Sequence, residues 1–204
     1  MRLPYAPTTP PDESTDTTRI YSRIAARRNP RPLIPLDLTL LHSPPVADGY
    51  NSFVGALRTE TIVDSGLLEL AICRVAVLNQ AVYEWNIHAP LAYKAQVSPA
   101  VLQDSLALPP WTKPMTTGWE DSGLNVQQRA VLQYTDQMTK LVTVDDEVFS
   151  RLGEFGFSER EIVELTATIA GYNCVSRILV ALDVGENNAR PMKTVGDIVA
   201  ETSC

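Results

Sequence analysis

Residues 69–102 read ELAICRVAVLNQAVYEWNIHAPLAYKAQVSPAVL. The front of this stretch extends back to Asp64 or Ser65, either of which can cap a helix. Behind that cap, Leu68, Ile72, Val75 and Leu78 or Asn79 recur at helical spacing. YEWNIHAP (83–90) continues the helical pattern, and Ser98-Pro99 opens a further short helix with serine as cap and proline in the first turn. Two features do not fit a plain apolar helix. Glu69 stands among Leu68, Leu70 and Ile72, where a carboxylate is either paired or has its pKa raised by desolvation. Glu84 and His88 are four residues apart and share one helix face, flanked by Tyr83 and Trp85.

Outward from this stretch the signals stay helical. SPPVADGYNSFVGALR (43–58) places Tyr50, Phe53, Val54 and Leu57 on one stripe. Asn125 to Lys140 is amphipathic, with Val131, Leu132, Thr135 and Met138 inward, and 144–152 opens on the acidic VDDE, favourable at a helix N-terminus. Ser158 with Glu161 forms a capping box for SEREIVELTATIAGYNCVSRILVALDV, predicted to be a central core helix. Residues 106–123, with prolines and two tryptophans, read as a long loop serving as a lid or an interface, Trp111 and Trp119 included. No alternating run marks a strand, so the fold class is all-α. Residues 1–37 are read as a Pro-rich, partly extended N-terminal arm with a short basic helix over 17–28. Residues 38–190 form the helical domain and 191–204 a C-terminal tail.

The acid–histidine segment carries the chemistry. A glutamate beside a histidine fixes the imidazole tautomer and raises its basicity, giving an acid/base near neutrality. His88 is the candidate acid/base, oriented by Glu84 or Glu69; spacing alone leaves both partners open, and a surface helix pair is the plain alternative. Tyr83 offers a phenol donor and Trp85 an apolar wall. Arg74 and Arg177 are candidate carboxylate clamps, since guanidinium grips carboxylate in a two-point fork. The alternatives are a surface or interface pair for Arg74 and, for Arg177, a structural pair to Glu69 or Glu84. His42 either caps the site from another segment or is a loop histidine. Asn79 and Asn173 either line a polar pocket or satisfy helix ends.

Three separated segments resemble the carboxymuconolactone decarboxylase family, which also contains the alkyl hydroperoxidase D-type proteins. They are LLHSPPVADGYNSFVGALR, the stretch 69–102, and FSEREIVELTATIAGYNCVSRILVALDV, in family order across residues 38–188. The resemblance implies an alkyl hydroperoxidase D-like fold, a homo-oligomer (trimer, hexamer or dimer), a small-molecule substrate and no metal or organic cofactor. The peroxidase branch carries Cys-x-x-Cys before the motif histidine; those positions are Ala81 and Glu84 here, so a thiol peroxidase is disfavoured. The glycine of the family's G-x-S is replaced in Gln96-Val97-Ser98, so that turn is expected to be made differently. What remains is a cofactor-independent lyase acting on a carboxylated lactone or related cyclic substrate. The alternatives are an isomerase, dehydratase or cyclase on the same scaffold, or a non-catalytic oligomer.

Bulk properties exclude other classes. A net charge of −7 argues against nucleic acid and anionic membrane partners. Two histidines do not supply a catalytic zinc set, and Glu-x-x-His pairs for a di-iron bundle are absent. No apolar run of about 20 residues is read as a membrane span. The three cysteines, Cys73, Cys174 and Cys204, form no disulfide framework, and Cys204, as the last residue, makes no prenylation motif; a cytoplasmic setting is expected.

Overall fold

The computed structural model describes residues 1–11, 14–113 and 116–203, so Cys204 lies outside the described residues. Among these there is no strand. The order is α1 (Thr15–Arg28), α2 (Pro35–Leu40), α3 (Pro44–Thr59), α4 (Ser65–Leu78), α5 (Val82–Lys94), α6 (Pro99–Ala107), α7 (Val126–Lys140), α8 (Asp146–Glu154), α9 (Glu159–Leu182) and α10 (Val195–Thr202). A single 3-10 turn (Val184–Glu186) follows α9.

The helix starts are written in side chains. Asp64, Ser98, Asn125, Ser158 and Thr194 each accept a backbone N–H of the first turn, satisfying donors that the helix itself cannot. α4 is the axle, because both its faces are apolar. Leu68, Ala71, Ile72 and Val75 meet one core built with α3, α7, α9 and the N-terminal segment. Leu70, Cys73 and Ala76 meet a second core built with α5, α6, α10 and Trp119. α9 is long and apolar enough to cross a membrane by length and composition, although charged and polar residues interrupt its apolar run; here it packs on α3, α4 and α7.

The sequence-drawn boundaries cut across packed units. The one at 37/38 falls inside α2. The arm packs back on the body, with Ala6 buried and its N–H bonded to the Leu38 carbonyl at 3.1 Å. The tail 191–204 includes α10, whose Val195 and Ile198 enter the second core. The expected inward set of α3 also differs: Val54 and Leu57 are buried, whereas Phe53 is 48% exposed.

Both ends of α5 turn through a residue in the left-handed region, Gln80 (φ 55) and Gln96 (φ 68). At each, the next N–H reaches back five residues, Ala81 to the Ala76 carbonyl (2.8 Å) and Val97 to the Ala92 carbonyl (3.0 Å). This is a helix-ending motif that normally uses glycine. At the 96–98 turn Gln96 thus holds the left-handed conformation that glycine adopts most readily.

Candidate active site

Glu69 is the polar intruder on α4, and three helices converge on it. From the last turn of α3, the Arg58 guanidinium pairs with Glu69 Oε1. From α5, His88 Nδ1 lies 2.7 Å from Glu69 Oε2. From α9, the Tyr172 ring stands edge-on to the imidazole, 4.9 Å between centroids, and its phenol bonds Arg58. Burial alone pushes the Glu69 carboxyl up, but His88 and Arg58 outweigh it and hold it below its ordinary value. As a carboxylate, Glu69 can only accept, so the proton on the imidazole belongs on Nδ1 and the Nε2 lone pair stays free. Burial lowers the His88 pKa from its ordinary 6.5; the Glu69 contact opposes this and Arg58 adds to it, leaving the ring neutral at pH 7.

One turn earlier, Glu84 is 1% exposed, and neither carboxyl oxygen has a hydrogen-bond partner among the described residues. Desolvation pushes its pKa well above the usual carboxylate range, favouring the neutral acid. Glu84 and His88 line the same cavity, of about 360 Å³, a volume suited to one small cyclic molecule. α1 and the turn after it contribute Arg27, Arg28 and Arg31, α3 contributes Tyr50 and Arg58, and α5 contributes Tyr83. Burial first of all raises the Tyr83 phenol to about 12, so it serves as a hydrogen-bond donor. Its ring is held by Gly185, where an added Cβ would fall 2.5 Å from a ring carbon.

The structure thus separates the two partner candidates of His88: Glu69 makes the contact, and Glu84 faces the cavity alone. The other sequence-derived residues lie elsewhere. Trp85 is fully buried in the second core, its indole N–H donating to the Lys193 carbonyl at 3.0 Å, and is not a cavity wall. Arg74 is fully buried and forks onto Asp136 at 2.6 and 2.8 Å, so it clamps no substrate. Arg177 is exposed and bonds Asn173, pairing with neither Glu69 nor Glu84. His42 is exposed and contacts the Pro4 carbonyl at 2.6 Å. Asn79 ends α4 and donates to Asn173 Oδ1 (3.1 Å) and Ser176 Oγ (2.8 Å) in the middle of α9, a link between the two helices that neither lines the cavity nor satisfies a helix end. Nor do the described residues of the 106–123 loop line the cavity: Trp119 is buried against Arg74.

Sequence reasoning missed Arg58, Tyr172, Tyr50 and the α1 arginines. Arg58 reads as an ordinary cation in a last helical turn, and Tyr172 as core in an apolar helix. Only the crossing of α3, α4, α5 and α9 makes them neighbours. Among the described residues no group of three or more His, Cys, Asp or Glu is placed to hold a metal.

No family model and no curated protein matches this chain. Solved structures do. An uncharacterized peroxidase-related protein from Ralstonia eutropha JMP134 with an alkylhydroperoxidase AhpD core superposes with a TM-score of 0.70 at 18% identity, over 97% of this chain and 93% of that one. A peroxidase-related protein from Silicibacter sp. TM1040 gives 0.68 at 16% identity, over 92% and 94%. The debrominase Bmp8, in a cysteine-to-alanine form in complex with 2,3,4-tribromopyrrole, gives 0.63 at 17% identity, over 96% of each chain. The chain has the all-α alkyl hydroperoxidase D-like fold, and proteins of that fold include enzymes.

Proposed function

We propose that this chain is a cofactor-independent enzyme that decarboxylates a carboxylated lactone or related cyclic substrate by acid–base chemistry at His88 and Glu84. The observation that carries the reading is one cavity holding an imidazole, buttressed by Glu69 and Arg58, beside a buried, unpartnered carboxyl that desolvation pushes toward its neutral form. An acid and a base whose environments push their pKa values apart are the mark of paired proton transfer.

In the proposed step the bond from the ring to the departing carboxylate breaks, and its electron pair passes into a conjugated carbonyl, releasing CO2. The resulting dienolate takes a proton from the Glu84 carboxyl at carbon, and solvent returns that proton to Glu84. The Tyr83 phenol donates to the enolate oxygen while charge resides there. His88 Nε2 is the base of the pair: it takes up the proton arriving from solvent and hands it to the Glu84 carboxylate, and it accepts a proton directly wherever the substrate enters as an enol. Glu69 and Arg58 keep the imidazole ring aimed and its tautomer fixed.

A second reading rests on the same pair. A resting state with the base free and the acid loaded suits a proton shift with no net loss, as in isomerisation, dehydration or cyclisation. A thiol peroxidase is disfavoured: Ala81 and Glu84 occupy the dithiol positions, Cys73 is buried with its thiol pushed up by desolvation, and Cys174 is not among the cavity residues. A homo-oligomer in the cytoplasm belongs to the same proposal.

The test is incubation of the purified chain with carboxymuconolactone, read by mass spectrometry, with His88→Ala and Glu84→Gln beside it. CO2 loss that vanishes in both variants while their circular dichroism is unchanged supports the lyase. No CO2 loss from the folded protein, with deuterium uptake into a cyclic enone that His88→Ala abolishes, moves the function to the second reading. Equal turnover by His88→Ala rejects both and leaves the non-catalytic family member.

A further inference from the structure

The charge balance of the cavity is uneven, and this shows what binds opposite His88. Four arginines line it against a single acid, Glu84, which burial pushes toward its neutral form. Arg58 is committed to Glu69. Arg28 forks onto Asp37 through Nε (2.7 Å) and Nη2 (2.9 Å). Arg27 donates its Nε to the neutral Asn51 amide oxygen and has the same Asp37 as its counter-charge only at 3.6 Å, and its Nη2 has no hydrogen-bond partner among the described residues. Arg31 is exposed and in no ion pair among the described residues. Three guanidiniums against the one Asp37 carboxylate leave a net of two positive charges at this wall. Burial and the neighbouring Arg28 both make the charged form of Arg27 less favourable, the signature of a cation short of counter-charge. The Tyr50 phenol completes the wall.

We infer that Arg27 and Arg31, with Tyr50, form an anchor for a carboxylate that the substrate keeps throughout the reaction. This rests on the function proposed above and names the part of the substrate that is not transformed. A carboxylate gripped by guanidinium is stabilised in its ground state, which opposes cleavage of its own C–C bond. The departing carboxylate therefore belongs at the other end, beside neutral Glu84 and His88, and the α1 wall holds a second one. Of the substrate's anionic groups, one is thus fixed at the α1 wall and the other presented to α5. The anchor comes from the N-terminal segment, which joins the helical body through the paired Arg28 and Asp37.

The test is isothermal titration of the full chain with benzoate, and with benzamide as its neutral counterpart. Arg31→Gln changes an exposed, unpaired side chain and does not endanger folding; Arg27→Lys keeps the charge but not the fork, should Arg27→Gln fail to fold. Benzoate is expected to bind, more weakly as salt is raised, and benzamide to give no saturable heat. Arg31→Gln should weaken benzoate by about tenfold, the effect of one charge-assisted hydrogen bond. Equal affinity in wild type and Arg31→Gln, equal affinity for benzoate and benzamide, or no benzoate binding at millimolar concentration would each overturn the anchor. Binding is read without turnover, so a chain that grips benzoate through Arg31 but catalyses nothing refutes the activity and leaves the anchor standing.

Discussion

Two arginine–carboxylate contacts tie α4 to its neighbours, Arg74–Asp136 fully buried and Arg58–Glu69 with its arginine reaching solvent, and they differ in what they leave open. At Arg74–Asp136 every strong valence is filled. Asp136 accepts Nε, Nη2 and the Trp111 N–H, and Arg74 donates its remaining hydrogens to the carbonyls of Ser105, Leu108 and Pro109. Trp119 lies over the guanidinium at 5.7 Å. That contact closes on itself and pins the long loop to α4. At Arg58–Glu69 the carboxylate instead hands its second oxygen to His88, and the chain ends in a free ring nitrogen facing a cavity. A satisfied ion pair is architecture; one that ends in an unsatisfied atom is a site.

The largest expected effect breaks the closed contact. Asp136→Asn leaves Arg74 a buried cation without its counter-ion, a loss of about 3–5 kcal/mol. Urea denaturation should show a lower midpoint at unchanged slope. A loss below about 1 kcal/mol would mean that the loop carbonyls alone hold Arg74, and the contrast between the two contacts would collapse.

Next come the open contact's own residues, where activity rather than stability should move. His88→Gln is expected to lower turnover by about 10²–10⁴-fold, the usual contribution of a positioned acid/base. Glu69→Gln should lower it less and also shift the pH profile. The Glu69 contact raises the His88 pKa, so its removal makes the ring a weaker base and moves the acid limb of the profile to lower pH. A purely structural Glu69 would reduce the amount of active protein and leave that limb in place.

Much of this was legible in the residues, and the rest was not for a definable reason. Caps are local chemistry, so Ser158 with Glu161 and Ser98 with Pro99 announced α9 and α6 before any fold was known. Glu69, Glu84 and His88 stood out because an acid in an apolar helix needs a reason. Arg74 and Arg177 attracted attention by the same logic and were misassigned as clamps. Whether a buried cation meets a substrate or an aspartate depends on Asp136, sixty-two positions away in sequence. Arg58 and Tyr172 were invisible in turn, because each looks ordinary on its own helix and acquires a role only where α3 and α9 cross α4. Local patterns report helices; pairings across helices are a property of the packing.

Glu84 separates the two regions by pH. The unfolded carboxyl loses its proton above its ordinary 4.5, while the folded one keeps it well beyond that. The folded state therefore binds more protons, and stability falls as pH rises between the two values. Glu84→Gln removes this dependence. The variant's advantage over wild type should grow by about 1.4 kcal/mol per pH unit above 4.5 until the folded pKa is reached. Parallel stability curves for the two proteins would place an ionised Glu84 in the folded state and remove the acid from the proposed pair.

The smallest effect concerns the frame that holds α5 rather than either ion pair. Gln96 holds φ 68, a conformation that costs a residue with a side chain about 1–2 kcal/mol. Its amide regains part of that by donating to the Lys94 carbonyl at 3.3 Å. Gln96→Gly removes the strain and the side-chain bond together, and adds up to about 1 kcal/mol of chain entropy cost. The expected balance is a gain of about 0.5–1 kcal/mol, a rise of a few degrees in Tm, with turnover unchanged because Gln96 lies at the end of α5 away from the cavity. A fall in Tm would mean that the glutamine side chain contributes more than its backbone strain costs. The loss of glycine at this turn would then be a stabilising contact specific to this chain, and the turn at Gln80, which has the same geometry at the other end of α5, should respond to Gln80→Gly in the same direction.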